Sequence, residues 1–583
     1  MSGSHPDPLR LAIRLVGHRR PLFLFNCLLW GVIHSLPVLY GVFVKALFDA
    51  LTGESPAGAS PWTFLALALA VDAARLIGLA GGIRTWSTYW IEITLLVRRN
   101  LLEYLLTAPG SRRLPDSPGE AISRFRDDVN DIAEYVETWI DFWGLAAFAL
   151  VALTVMVSID PLMTGLVCLP LVLTFLLTGL LRPRIRRVRK LMRETTGRVT
   201  DYIGEMAGGV QALKVSASEE SALRHFDRLN GRRRQAALED TLITELFKSV
   251  TDNMVNVATG IILLLAAGAL RDGSFTVGDF ALFVAYLPRL TGVMSFIGAM
   301  LVQHKRTAIA FERLERLMAG AGSEVAVADS VLPVHGLPPV FRDPRPEPLP
   351  LRTLEVAGLS YRHPDGAHGV EDVSFTLERG SFTVITGQVG SGKSTLLRVL
   401  LGQLPATAGR IGWNGLQVDD SASFFVPPRS AYTPQVPRLF SDTLRENLVL
   451  GADVTADAVA NALELSVMSE DVARLDRGLD TPVGSRGVKL SGGQVQRSAA
   501  ARMFLREAEL LVFDDLSSAL DVETETLLWQ RLERWKGVTC LVVSHRPAAF
   551  ARADRILVLN DGRLVVAGTA DELRLAEMGA GSR

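Results

Sequence analysis

Charge is scarce in this 583-residue chain, and what there is cancels. Asp, Glu, Lys and Arg make up 21% of it, with 61 basic against 62 acidic residues and a net charge of −1. That balance gives no basis for a nucleic-acid partner. Cysteine is scarcer still. Cys27, Cys168 and Cys540 stand far apart, fit no metal-ligand spacing and imply no disulfide framework. Two lie in apolar runs and one in a strand-like run, so all three read as small buried side chains. A cleavage signal is also lacking. Arg10, Arg14, Arg19 and Arg20 precede an apolar run, but no small-residue motif follows it, so the run is not read as a removable signal peptide.

Apolar length is plentiful. Hydrophobic residues reach 48% and the mean hydropathy is +0.25, high for a soluble protein. A chain of this length exceeds what one core supports, so two or more domains are expected. Up to about residue 302 six apolar runs recur, near 21–46, 62–91, 135–158, 162–181, 247–270 and 275–302. Each is long enough to cross roughly 30 Å of hydrocarbon as a helix.

The loops between them differ sharply in charge. Residues 92–134 and 182–246 are long and arginine-rich, with Arg98, Arg99, Arg112, Arg113, Arg184, Arg186, Arg187 and Arg189. The short connections Thr52–Pro61, Ile159–Pro161 and Arg271–Ser274 hold one basic residue, Arg271. The excess of positive charge therefore places both termini and the two long loops in the cytoplasm. Leu101, Leu102, Leu105 and Leu106 recur at helical spacing, as do Ile203, Met206, Val210 and Leu213, so the spans are expected to continue as helices beyond the bilayer.

Several polar residues fall inside the predicted spans: Asn26, His34, Asp72, Arg75, Arg84, Asp252, Asn253, Asn256 and Arg289. Charge in lipid is costly, so these are expected to face a water-filled path or one another. Asp72 and Arg75, three apart, share a helical face and can pair. Helix-to-helix contacts and substrate contacts both fit the set. For His34, a hydrogen-bonded packing role is favoured over a proton sensor. Residues 319–350 are rich in Pro and Gly and read as an extended linker. The expected domains are thus 1–318 in the membrane, 319–350 as linker and 351–583 as a second domain.

That second domain carries the most specific signal in the chain, Gly387-Gln388-Val389-Gly390-Ser391-Gly392-Lys393-Ser394-Thr395. It fits G-x-x-x-x-G-K-[ST], and it follows a β-branched run (Phe382 to Thr386) and precedes a helix-like run (Leu396 to Leu401), the setting a phosphate-cradling P-loop needs. Glycines let backbone N–H groups converge on phosphate oxygens. The helix start adds unpaired N–H groups and partial positive charge. Lys393 is placed to neutralise the β- and γ-phosphates of a nucleotide, and Ser394 to ligate Mg²⁺. Some 120 residues on, Leu510-Leu511-Val512-Phe513-Asp514-Asp515 reads as a buried strand ending in two carboxylates. Asp514 suits Mg²⁺ through water, and Asp515 suits polarisation of an attacking water.

Between these lies Leu490-Ser491-Gly492-Gly493-Gln494. LSGGQ after a P-loop and before an acidic strand end resembles the ATP-binding cassette (ABC) transporters, and the likeness covers nearly the whole chain. Six spans followed by one cassette are similar to a half-transporter of the exporter type. The fold this implies is an all-α transmembrane domain of six helices with long cytoplasmic extensions, followed by an α/β P-loop nucleotide-binding domain of ABC type. The resemblance implies further roles. Tyr361, in Leu359-Ser360-Tyr361, resembles the aromatic that stacks on adenine. Gln435, in Tyr432-Thr433-Pro434-Gln435, resembles the glutamine that senses Mg²⁺ and the attacking water. His545, in Ser544-His545-Arg546, resembles the switch histidine at the γ-phosphate. Asp442 to Asn447 resembles a segment that meets the intracellular loops, and Ser518-Ala519-Leu520-Asp521 a loop communicating across a cassette dimer.

In this family ATP lies between two cassettes, one giving the P-loop and the other LSGGQ. Ser491, Gly492, Gly493 and Gln494 are therefore expected to serve a nucleotide held by a partner chain. The stretches Ser111–Gly119 and Met206–Ser216 are candidates for coupling contacts. No peptidase-like segment precedes the spans, so leader-peptide cleavage is not expected. Two positions depart from the pattern. Asp515 stands where the family usually has glutamate, and its carboxylate ends roughly 1 Å short, a gap that can cost about a hundredfold in rate. Ser485 stands where a glutamate usually precedes LSGGQ. A weak-site half of a heterodimer stays open on Asp515, whereas His545 favours a homodimer. The expected activity is ATP-driven export of a hydrophobic or amphipathic compound, whether lipid, drug or peptide, across the cell (inner) membrane. Import by the same spans and a non-pumping ATP-binding regulator stay open as rivals.

Overall fold

The computed structural model describes residues 7–53, 60–107, 118–271, 273–318, 321–330, 332, 346–363, 369–484, 487–535, 537–569 and 572. The chain divides near Leu337 into two compact units.

The first unit is helical. A short amphipathic helix, α1 (Pro8–His18), is capped by Asp7 and buries Leu11, Ala12 and Leu15. Then come α2 (Arg20–Thr52), α3 (Pro61–Thr107), the single turn α4 (Pro118–Ser123) running on through a π-turn, α5 (Val129–Ile159), α6 (Pro161–Val215), α7 (Glu219–Arg271), α8 (Val277–Leu317) and the turn α9 (Ser323–Ala326). Starts follow the chemistry of unpaired N–H groups. Asp160 accepts from the amides of Leu162 and Met163 before α6, and Thr276 forms a capping box with Asp279 before α8. Among the described residues, α2, α3, the stretch Gly119–Ile159 and α8 are long and apolar enough to cross a membrane, while α6 and α7 carry shorter apolar stretches, Pro161–Pro170 and Asn256–Arg271. The helical extensions expected of the long loops are present: α3 runs to Thr107 and α6 to Val215. Of the coupling candidates, residues 111–117 lie outside the described residues.

Small residues set how closely these helices approach. A Cβ on Gly41 of α2 would sit 2.1 Å from the Tyr286 ring of α8, and one on Gly278 would sit 2.3 Å from Asp49. In that seam Tyr286 Oη donates to the Val38 carbonyl at 2.6 Å, and Lys45 pairs with Asp279 and, at 3.3 Å, with Asp49. The polar residues in the spans mostly find local partners. Asn26 is buried and bonded to Thr85 at 2.8 Å, and Asn256 donates to Asn253. His34 lies 3.1 Å from Asp141. The expected Asp72–Arg75 pair does not form among the described residues: Asp72 is exposed, and a buried nitrogen of Arg75 has no hydrogen-bond partner. Arg289 stands over the Phe148 ring, 5.7 Å from its centroid. The Asp252 side chain lies outside the described residues. One part of the Pro/Gly-rich stretch is not extended. Glu315 receives the amide and hydroxyl of Ser323 at 2.9 and 2.7 Å, starting α9, and Ala326 and Val327 bury beside Leu314 and Met318.

The second unit is α/β. Its strands are β1 (Thr353–Tyr361), β2 (Val370–Glu378), β3 (Phe382–Thr386), β4 (Ala408–Trp413), β5 (Leu416–Gln417), β6 (Ser430–Thr433), β7 (Leu510–Asp514), β8 (Thr539–Val543), β9 (Arg555–Asn560) and β10 (Arg563–Gly568). An antiparallel sheet has the order β2-β1-β4-β5, and a six-stranded sheet the order β10-β9-β3-β8-β7-β6, parallel except for β10. Strands β7 and β8 are buried along their whole length, as strands covered on both faces must be. Helices of this unit are α10 (Lys393–Leu400), α11 (Ser421–Phe424), α12 (Leu444–Val449), α13 (Ala456–Leu465), α14 (Ser469–Ala473), α15 (Gly492–Phe504), α16 (Val522–Glu533) and α17 (Pro547–Arg552). Trp529 of α16 packs edge-on against Phe382 and Phe513, with centroids 5.3 and 5.5 Å apart, fixing one layer against β3 and β7.

Candidate nucleotide site

Parallel β3, β8, β7 and β6 end on the same edge, so the residues after them gather where ligands of open α/β sheets bind. After β3 comes the glycine turn. Gly387, Gly390 and Gly392 have φ of 142°, 87° and 95°. At Gly387 a Cβ would lie 2.0 Å from the Leu559 carbonyl oxygen, so no other residue fits there. Lys393 opens α10 and folds back over the turn, donating to the carbonyls of Gly387 at 2.9 Å and Gln388 at 2.7 Å and reaching Ser391 Oγ at 3.4 Å. Burial pushes its ammonium below the ordinary lysine value, opposed by the charges of Asp514 and Asp515.

At the end of β7, Asp514 is 1% exposed. Ser394 Oγ donates to its Oδ1 at 2.8 Å and Tyr432 Oη to its Oδ2 at 3.2 Å. Burial raises its pKa despite those two hydrogen bonds, and burial likewise pushes the Tyr432 phenol up to about 12. The next residue, Asp515, has φ 52°, a left-handed conformation that aspartate tolerates better than longer side chains. Its amide donates to the Val543 carbonyl at 3.1 Å, and its carboxylate accepts from Gln435 Nε2 at 3.2 Å. His545, just beyond β8, lies 3.4 Å from Thr386 Oγ1 through its Nδ1.

A cleft of about 270 Å³ is lined by Val389, Gly390, Gly392, Lys393, Ser394, Thr395, Gln435, Asp514, Asp515 and His545. One ammonium and a nest of amides suit a polyphosphate. The hydroxyl of Ser394 beside the Asp514 carboxylate suits a hard divalent cation. Among the described residues no group of three or more His, Cys, Asp or Glu could hold a metal alone.

Other expected residues stand outside this cleft. Ser491 caps α15 and, with Gln494, closes a capping box: the Ser491 amide donates to Gln494 Oε1 at 2.8 Å, and the Gln494 amide donates to Ser491 Oγ at 3.3 Å. Gln494 also donates to Asp471 at 2.9 Å. Ser491, Gly492, Gly493 and Gln494 therefore present one helix start that does not line their own chain's P-loop cleft. Tyr361 is 8% exposed and meets His363 edge-on, centroids 4.9 Å apart, so most of its ring is covered. Ser485 and the Ser518 side chain lie outside the described residues.

Three contributors escape motif reading. Tyr432 is the second donor to Asp514. Gln496, 5% exposed, donates to the Gln435 carbonyl at 3.5 Å and accepts from the Ala519 amide at 3.1 Å, tying two loops to α15. Arg546 donates to the Leu520 carbonyl at 2.8 Å and pairs with buried Glu525 at 3.2 Å, holding the loop after β8. The only sequence signal for these was their adjacency to Gln435, LSGGQ and His545.

A parallel sheet with a P-loop at its carboxyl edge, joined to a bundle of membrane-length helices, defines a nucleotide-driven membrane protein. Residues 23–294 match the ABC transporter transmembrane region and residues 370–518 the ABC transporter cassette. The chain is 30% identical over 583 residues to the ATP-dependent lipid A-core flippase of Bordetella pertussis, covering 97% of this chain and 89% of that one. It is 28% identical over 507 residues to a putative multidrug export ATP-binding/permease protein of Staphylococcus aureus, covering 85% of each. Its fold matches a bacterial Atm1-family ABC exporter with ATP bound, with TM-score 0.73 at 22% identity over 96% of this chain and 98% of that one. The chain belongs to the ABC transporter family. It is an ATP-driven membrane transporter with an ABC-type ATPase cassette, and ABC exporters of this build work as dimers of half-transporters.

Proposed function

We propose that two copies of this chain bind Mg²⁺-ATP between their cassettes and export a hydrophobic or amphipathic compound across the cell membrane, with both termini and the cassettes cytoplasmic. The observation that carries this reading is the convergence of Lys393, Ser394, Asp514, Asp515, Gln435 and His545 on one cleft while LSGGQ of the same chain stands apart from it. Bound Mg²⁺ would supply charge neutralisation at the β- and γ-phosphates. Ser394 and Asp514 would hold it, with Gln435 beside them. Lys393 exchanges its carbonyl partners for phosphate oxygens. Asp515, oriented by Gln435, takes a proton from the attacking water, and His545 donates to the γ-phosphate. Tyr361 meets adenine with whatever ring edge it leaves free.

The partner's Ser491 hydroxyl and the amides at the start of its α15 complete the site, because a helix N-terminus favours an anion. A second copy is also supported by α6 and α7, which pair mainly with each other and leave Leu238, Leu242 and Leu246 exposed. The lipid A-core flippase and the multidrug exporter among the relatives favour an amphipathic cargo. The decisive experiment uses the purified full chain in lipid. Lys393→Ala should abolish ATP hydrolysis, and mixing it with parent chains before reconstitution should lower parent turnover out of proportion to the parent share. Unchanged turnover in Lys393→Ala would end the assignment, and strictly proportional loss in the mixture would end the homodimer.

A further inference from the structure

Resting on the transport reading, we infer that an acid and indole cluster between α2, α3 and α5 is a recognition site for an amphipathic organic cation, such as a lipophilic ammonium or phosphonium. Glu137 and Asp141 are four apart on α5 and share a face. His34 of α2 holds Asp141 at 3.1 Å, and the Trp30 ring, one turn earlier on α2, lies 5.6 Å from the His34 ring. Trp86 of α3 lies beside Glu137.

The site is built, because the helices close on it through missing side chains. A Cβ on Gly144 would lie 2.9 Å from His34 Cβ and 3.0 Å from Gly31 Cα, and one on Gly82 would lie 3.3 Å from the Trp30 ring. Not all of its polar atoms are spent. The indole nitrogen of Trp86 meets Glu137, and that of Trp30 is buried without a hydrogen-bond partner. So is the hydroxyl of Tyr89, a residue 2% exposed and three positions along α3 from Trp86.

Two carboxylates within membrane-spanning helices are costly, and a cation offsets that cost. Among the described residues no lysine or arginine pairs with either; the partner of Asp141 is His34. Carboxylates beside aromatic faces are the chemistry that binds an ammonium or phosphonium group, by Coulomb attraction and by the ring quadrupole together. The two carboxylates disfavour an anionic cargo here.

The test pairs two probes of one shape and opposite charge, tetraphenylphosphonium and tetraphenylborate. Binding of each is measured to the purified chain in phosphatidylcholine nanodiscs. The parent should favour the cation, and the double variant Glu137→Gln/Asp141→Asn should weaken cation binding by about tenfold or more, as loss of about 1.4 kcal/mol or more implies, without weakening tetraphenylborate binding. An unchanged melting temperature reports that the variant is folded. Should the double variant not fold, Trp86→Ala against Trp86→Phe carries the same question, since only the alanine removes the ring. An unchanged preference between the two probes in folded variants overturns the inference. So does a shifted pH profile of ATP hydrolysis with unchanged cation binding, which would make the cluster a proton site. Loss of ATP hydrolysis by the parent itself would strike the transport reading instead, so the two failures are separable.

Discussion

Restoring the missing methylene at position 515 should speed this ATPase and loosen its fold. Asp515 reaches into the cleft from a left-handed backbone, φ 52°, with Gln435 Nε2 3.2 Å from its carboxylate. Asp515→Glu moves the carboxylate outward by roughly 1 Å, toward the water that must attack. A misplacement of that size costs about a hundredfold, so the variant should gain up to about a hundredfold in turnover. The backbone sets the opposing cost. A left-handed residue costs roughly 1–2 kcal/mol, part of which aspartate escapes by bonding locally, so glutamate there should destabilise the cassette by about 1 kcal/mol. The assay is steady-state phosphate release at saturating Mg²⁺-ATP from the full chain in lipid, with Lys393→Ala as background and Asp515→Asn as the charge control. Asp515→Asn should lose most residual hydrolysis and keep nucleotide binding. If Asp515→Glu is no faster than the parent, the short reach is not what limits the site. If Asp515→Asn turns over as the parent does, the proton acceptor lies elsewhere.

Three further outcomes follow from other contacts. Tyr432→Phe removes one of two donors to Asp514, and its turnover should need about tenfold to hundredfold more Mg²⁺, the usual cost of losing an outer hydrogen bond to a metal ligand; an unchanged Mg²⁺ titration refutes the positioning role. Lys393 sits below its ordinary value of 10.5 because of burial, so it loses its proton, and with it phosphate attraction, earlier on the alkaline side than a free lysine. Nucleotide affinity should therefore fall as pH rises toward about 10, and Lys393→Arg, which keeps its charge, should bind with a flat profile; a parent profile equally flat would show that the ammonium does not carry the binding. Gly41→Ala puts a Cβ 2.1 Å from the Tyr286 ring and should cost about 1–3 kcal/mol by overpacking, read as a lowered melting temperature in detergent, whereas Gly81→Ala, with open space around it, should not.

The parts legible from sequence were those whose chemistry is local. A β-branched run, a glycine turn and a helix start are contiguous, so the Gly387–Thr395 loop and its flanks could be read without knowing the fold. Asp514 and Asp515 were legible because a strand covered on both faces must be apolar until it ends. Long-range partners were not. Tyr432 meets Asp514 only because β6 and β7 pair in parallel, and Arg546 meets Glu525 only because α16 packs beside α17. The Asp72–Arg75 expectation failed for the opposite reason: spacing of three brings two side chains onto one helical face, but long side chains turn toward whatever solvent or charge lies nearest, and Asp72 is exposed. The turn at Ser323–Ala326 inside a Pro/Gly-rich stretch was hidden because Glu315, eight residues back, supplies its cap.

Asp515 also links two halves of the site that motifs treat separately. Its amide is bonded to Val543, the last residue of β8, and its carboxylate to Gln435 beyond β6. His545 follows Val543 by two residues, and Gln496 fastens both Gln435 and Ala519 to α15. A shift of the Asp515 carboxylate thus pulls on the LSGGQ helix through Gln435 and Gln496, while its amide stays tied to β8. A shorter carboxylate held by Gln435 keeps that network closed in a single cassette. Lengthening it extends the reach and shifts the Gln435 contact, so faster chemistry and weaker coupling of hydrolysis to transport should arrive together in Asp515→Glu. Transport per ATP falling while ATP turnover rises is the signature of that link; both rising in step would show that Gln435 carries no coupling through Asp515.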